Sequence, residues 1–218
     1  LKTGEAIVVA FDICSSSDII EELTLKGQLE RFHQLLTSLR HHLMKSQDIL
    51  LFDAYKFTGD GWILLFPGNE TDGQVLLKWL TDLCVFFKKE FRQKILKYLD
   101  TPPAVTGLTF GLERGLLGKM KMFGRREYLG RAINIACRLQ GAVGDKGGPP
   151  AYKALVSNVV FHDYFAAATG YKVWKAQRSL KNIRAGTAFK CRKIDLLSVK
   201  APPNSGSSGR AKSARRSI

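Results

Sequence analysis

The chain has 218 residues, 34 basic and 19 acidic, for a formal net charge of +15; 45% are hydrophobic and 24% charged. That balance excludes wholesale disorder, and no apolar run approaches the roughly 18 residues a membrane-spanning helix needs. The length fits one domain, residues 1–200, followed by residues 201–218, a basic tail expected to be disordered because it holds too little apolar surface to offset ordering entropy. Residues 1–11 lack the features of a signal peptide, so a cytoplasmic location is expected. Cys14, Cys84, Cys137 and Cys191 show no metal-ligand spacing and read as reduced thiols. The surplus charge favours anionic partners without choosing among them.

Residues 5–13 (EAIVVAFDI) read as a buried strand. Ser15, Ser16, Ser17 and Asp18, followed by Glu21 and Glu22, mark a helix start. Between residues 25 and 44 the apolar positions recur at spacings of three and four, which predicts one amphipathic helix. Residues 49–57 and 62–66 are apolar runs joined by Thr58-Gly59-Asp60-Gly61, a hairpin signal. Residues 72–99 are predicted helical up to Pro102-Pro103. A strand over 104–111, a second hairpin over 112–123 and a helix over 130–143 follow. Then come a Gly-Pro loop, a helix over 151–168, and closing strands over 172–176 and 187–196. This order predicts an α+β fold with a ferredoxin-like βαββαβ core, added strands and an added helix.

Two aspartates carry the first chemical signal. Asp12 ends the first strand and Asp60 sits at the tip of the first hairpin, so a βαββ arrangement lets them converge. Paired carboxylates at a sheet end suit magnesium or manganese, although each also fits a turn or a helix cap. The hydroxyls and backbone N–H groups of Ser15, Ser16 and Ser17 lie at a helix N-terminus, where phosphate is favoured, as is ordinary capping. Asn134 and Arg138, four residues apart, project from one helical face, and such an arginine suits either charge on a phosphate or plain solvation.

Together FDICSSS, YKFTGDGW and GRAINIACRLQGA resemble the signature blocks of class III nucleotidyl cyclases, in family order and spacing across residues 5 to about 197. The resemblance implies a homodimer with two active sites at its interface. Asp12, the carbonyl of Ile13 and Asp60 would hold two divalent metal ions, Mg or Mn, on one subunit. From the other, Asn134 would orient the ribose and Arg138 would stabilise the pentavalent phosphate. The reaction implied is attack of the 3′-hydroxyl on the α-phosphate, releasing pyrophosphate and a 3′,5′-cyclic nucleotide. The family's base-reading positions correspond to Lys56 and to Glu127, which replaces the usual aspartate; Tyr55, Arg126 and Tyr128 flank them. A donor and an acceptor suit adenine, cytosine or uracil alike. Lys181 or Arg184 would stand in for the family's phosphate-binding lysine.

The compact form and the motifs DICSSS and YKFTGDGW look most like the stand-alone bacterial pyrimidine cyclases of Pycsar antiphage systems. That narrower likeness implies cyclic UMP or cyclic CMP acting on a separate effector; an adenylate cyclase is the alternative. A basic nucleic-acid-binding module is a further alternative, but the cations read as dispersed in sequence, so no nucleic-acid partner is expected.

Overall fold

A computed structural model describes residues 2–145, 148–167 and 169–198; the tail assigned to residues 201–218 lies outside them. In chain order the elements are β1 (Lys2–Ile13), α1 (Ser16–Leu25), α2 (Leu29–Ser46), β2 (Asp53–Phe57), β3 (Gly61–Pro67), α3 (Gly73–Lys94), β4 (Leu108–Met122), β5 (Arg125–Leu129), α4 (Arg131–Gly141), β6 (Lys153–Ser157), β7 (Lys172–Arg178) and β8 (Phe189–Asp195). One eight-stranded sheet runs β2-β3-β1-β4-β6-β8-β7, with β5 pairing to β4 alone. The β2-β3-β1-β4 block, with its helices, is the expected βαββαβ core. No helix among the described residues is long and apolar enough to cross a membrane.

β1 explains why the two faces differ. Its alternate residues Ile7, Val9, Phe11 and Ile13 join the core under α1, α2 and α3. Val8 and Ala10 face the other way, against Ala132 and Ala136 of α4. The second face thus has a thinner cover, and α4 sits low on it. A Cβ on Gly111 of β4 would run into the Ala136 carbonyl and the Gln140 backbone nitrogen. Gly111→Ala is therefore expected to cost about 3 kcal/mol or prevent folding, because backbone cannot yield as a side chain does. Urea denaturation within experimental error of the unsubstituted protein would disprove this seating of α4.

Several boundaries differ from the sequence expectation. The helix predicted over 25–44 starts later, as α2 at Leu29, and the helix start read at Ser15–Asp18 opens a separate helix, α1, which ends just before Gly27 adopts φ +63°. The strand over 49–57 shortens to β2. Residues 104–123 make no hairpin of their own: β4 is one 15-residue strand that turns at Phe123 and Gly124 into β5. The helix predicted over 151–168 is not formed by the described residues of that range, 151–167. β6 pairs parallel with β4, and only Asn158–Val160 and a π-turn at Phe161–Phe165 are helical. A short apolar run buried in a parallel strand has no alternation by which sequence could tell it from a helix. The four cysteines are free, as expected.

Candidate active site

The hairpin between β2 and β3 places Asp60. Gly59 at φ +111° makes the turn, and the Thr58 N–H donates to the Gly61 carbonyl at 3.0 Å. Gly61 then pairs with Asp12 across β1 and β3, so Asp60 arrives beside Asp12 at the sheet end. Only glycine fits there, since a Cβ would strike the Phe11 carbonyl oxygen. The strand pairing itself brings the two carboxylates together.

Their electrostatics are costly. Burial, then the hydrogen bond and charge of Asp60, push the Asp12 carboxyl up to about 7, against a lowering contribution from the Ile13 N–H. One Asp12 oxygen, Oδ1, is buried without a hydrogen-bond partner. A buried, unpartnered carboxylate oxygen beside a second carboxylate fits a divalent cation, which takes oxygen ligands and relieves the like-charge repulsion. Asp12 and Asp60 are the side chains that would hold it; among the described residues no larger cluster of three or more ligating side chains exists.

The serine segment departs from expectation. The three hydroxyls do not converge on the helix N-terminus. Ser15 takes a left-handed conformation, φ 57°, and its hydroxyl donates to the Val105 carbonyl at 3.0 Å. Ser16 is buried and its hydroxyl donates to the Asp60 carboxylate. Only the Ser17 side chain is exposed. Burial of Ser16 beneath the hairpin, and the turn at Ser15, redirect these groups. What α1 retains for an anion is the backbone N–H array of its first turn.

Asn134 and Arg138 lie on α4 opposite its buried residues Ala132, Ala136 and Leu139, and both are exposed. No hydrogen bond or ion pair among the described residues joins either of them to Asp12 or Asp60. The turn between β7 and β8 is fastened to the same helix: the Arg131 guanidinium donates to the Arg184 carbonyl at 3.3 Å, and Leu180 and Ile183 pack with Ile135 and Leu139. Lys181 and Arg184 are thereby held beside α4, both exposed.

The base-reading candidates meet on the α4 side of the sheet. A bulge between Ala54 and Lys56 makes Tyr55 the extra residue of β2. Its hydroxyl donates to Glu127 Oε2 at 2.5 Å, and its ring stands edge-on to Tyr128 with centroids 5.1 Å apart. Burial, then the Glu127 hydrogen bond, raise the Tyr55 hydroxyl above its ordinary value. Lys56 Nζ lies 6.0 Å from the Tyr55 ring centre. Asp53, which sequence reasoning missed inside an apolar run, accepts from the Tyr128 hydroxyl at 3.1 Å and from Arg126 at 3.4 Å. Also unforeseen is Gln140, which donates to Thr109 Oγ1 at 2.8 Å, the residue paired with Asp12 on β4. Nothing in their spacing marks either.

No protein-family model matches the chain, and no curated protein does. Solved structures do. The adenylyl cyclase CyaB from P. aeruginosa superposes with a TM-score of 0.67 at 17% identity, covering 94% of this chain and 100% of that one. The guanylyl cyclase Cya2 gives 0.64 at 15% identity, over 93% and 96%. An adenylate/guanylate cyclase/hydrolase from Silicibacter pomeroyi gives 0.59 at 16%, over 89% and 98%. At these identities the likeness speaks for architecture, and by that architecture the chain has the class III adenylyl and guanylyl cyclase catalytic fold.

Proposed function

We propose that the chain is a nucleotidyl cyclase that converts a ribonucleoside triphosphate, by preference UTP or CTP, to its 3′,5′-cyclic monophosphate and pyrophosphate. The observation that carries this reading is the Asp12–Asp60 pair, with its orphaned buried oxygen, at the sheet end of a cyclase fold. Asp12, Asp60 and the Ile13 carbonyl would hold two divalent cations, whose chemistry is to neutralise phosphate charge and ease ionisation of the attacking hydroxyl. Arg138 supplies positive charge where the α-phosphate becomes crowded with negative charge, and Asn134 fixes the ribose. Lys181 or Arg184, tethered beside them, meets the outer phosphates.

Asn134 and Arg138 stand exposed on α4 with no bond to the carboxylate pair, which supports a site completed by a second copy. The β4–β5 hairpin offers a docking arm: Phe123 at its tip is 99% exposed, with Leu116 and Leu129 exposed behind it. By the likeness of its motifs to antiphage pyrimidine cyclases, the product would signal to a separate effector.

Base preference rests on space. The Tyr55 hydroxyl occupies one Glu127 oxygen and its ring stands edge-on to Tyr128; on this reading the two rings narrow the base site against a fused bicycle. A clash discriminates where a hydrogen-bond mismatch can be bridged by water. Purified protein offered equimolar ATP, GTP, CTP and UTP with manganese is expected to make mainly a cyclic pyrimidine nucleotide. Tyr55→Ala is expected to admit purines before it improves pyrimidine turnover. Cyclic AMP as the main product of the unsubstituted protein would leave the adenylate cyclase reading in its place.

A further inference from the structure

Residues 172–195, which form β7, β8 and the turn between them, carry eight lysines and arginines against one acid, Asp195. Cations that look dispersed along the chain are gathered by the β7–β8 pairing into a two-stranded ribbon at the edge of the sheet. On the α4 side of this ribbon opens a groove of about 600 Å³, lined by Lys153, Trp174, Lys175, Gln177, Arg178 and Lys193. Its floor is firmly built. Arg178 and Lys193, each 5% exposed, donate to the carbonyls of Ala142 and Val143 at 3.0 and 2.9 Å. Those two cations answer the negative end of α4.

Arg192 donates to Asn158 Oδ1 at 3.2 Å and Lys153 to the Pro149 carbonyl at 2.6 Å, while Lys175 and Lys190 stand exposed. Trp174 stands opposite Lys193 and is 45% exposed, whereas the other tryptophans, Trp62 and Trp79, are buried. Around the edge strand, on the other face, Lys175, Lys190 and Arg192 line a second groove of about 450 Å³. Positive charge therefore continues past the indole from one face of the ribbon to the other.

We propose that this ribbon binds single-stranded nucleic acid, with one base stacked on Trp174 and the adjoining phosphates crossing Lys153, Lys175 and Lys190. An open indole flanked by cations is the chemistry that single strands use, because every base has a stacking face and every linkage a charge. A free mononucleotide would need only the first groove. A duplex presents no unstacked base to the indole. A membrane surface would call for apolar side chains standing clear of the cations, and Trp174 instead lines a groove between them.

The test uses the full chain and a fluorescein-labelled oligodeoxythymidylate of about 12 nucleotides, followed by anisotropy over a salt series. Trp174→Ala is expected to weaken binding about tenfold. Lys175→Gln with Lys190→Gln, both exposed, is expected to lower the slope of log Kd against log salt by about 0.7 for each cation removed. The folded state of each variant is checked by circular dichroism. The proposal is overturned if Trp174→Ala binds as tightly as the unsubstituted protein, which would reduce the effect to charge alone. It is equally overturned by a duplex of the same length that binds as well, by thymidine monophosphate that matches the oligomer, or by anionic vesicles that bind while the oligomer does not.

Discussion

Asp12→Asn and Asp60→Asn are each expected to reduce cyclic-nucleotide formation by about a thousandfold or more, since each removes a carboxylate that would hold the cations. Asp12→Asn carries a second expectation of opposite sign. Because the Asp12 pKa is raised to about 7 in the fold, from 3.8, the folded chain holds its proton more tightly than the unfolded chain does. Without metal, stability therefore falls as pH rises from about 4 to 7, and the full cost is present above that range. The site is partly open to solvent, so screening reduces the cost to on the order of 1–2 kcal/mol. Metal-free Asp12→Asn at pH 8 should melt at a higher temperature than the unsubstituted protein, with the difference vanishing at pH 4. Manganese should then raise the melting temperature of the unsubstituted protein alone. A variant that loses activity but melts lower at pH 8 would mean that Asp12 holds the fold rather than a cation.

Mixing two inactive chains should restore turnover. Asp60→Asn damages the carboxylate half of a site and Arg138→Ala the outer face of α4. When equal amounts exchange subunits, half of the dimers are mixed, each with one intact site of two, so about a quarter of the original activity should return. Each variant alone should stay near background. No recovery, with subunit exchange demonstrated by a labelled chain, would place the whole site within one chain.

How legible was this in the sequence? Asp12 and Asp60 could be paired because a strand end and a hairpin tip have fixed positions once βαββ order is read. The Asn134–Arg138 face was equally legible, since helical spacing alone decides which side chains share a side. The serines were not. Their hydroxyls answer to tertiary neighbours, Val105 and Asp60, that no local rule points to. β6 was missed because a parallel strand buried on both faces looks like a helix segment. The Tyr55–Glu127 contact joins β2 to β5, elements that do not pair in the sheet, through a bulge that changes which way one side chain points. The charge on the closing ribbon was written in the sequence, but its concentration became visible only when β7 and β8 paired.

The outward-facing side of α4 has a consequence for control. On the two-chain reading, a lone chain carries every residue of the chemistry yet can complete no site, because Asn134 and Arg138 face solvent. At concentrations below the dimer dissociation constant, cyclic-nucleotide output would then climb with the square of the amount of protein, so that halving the cell's supply of the chain would quarter the signal. Such a catalyst is silent at trace abundance and needs no inhibitor to keep it so.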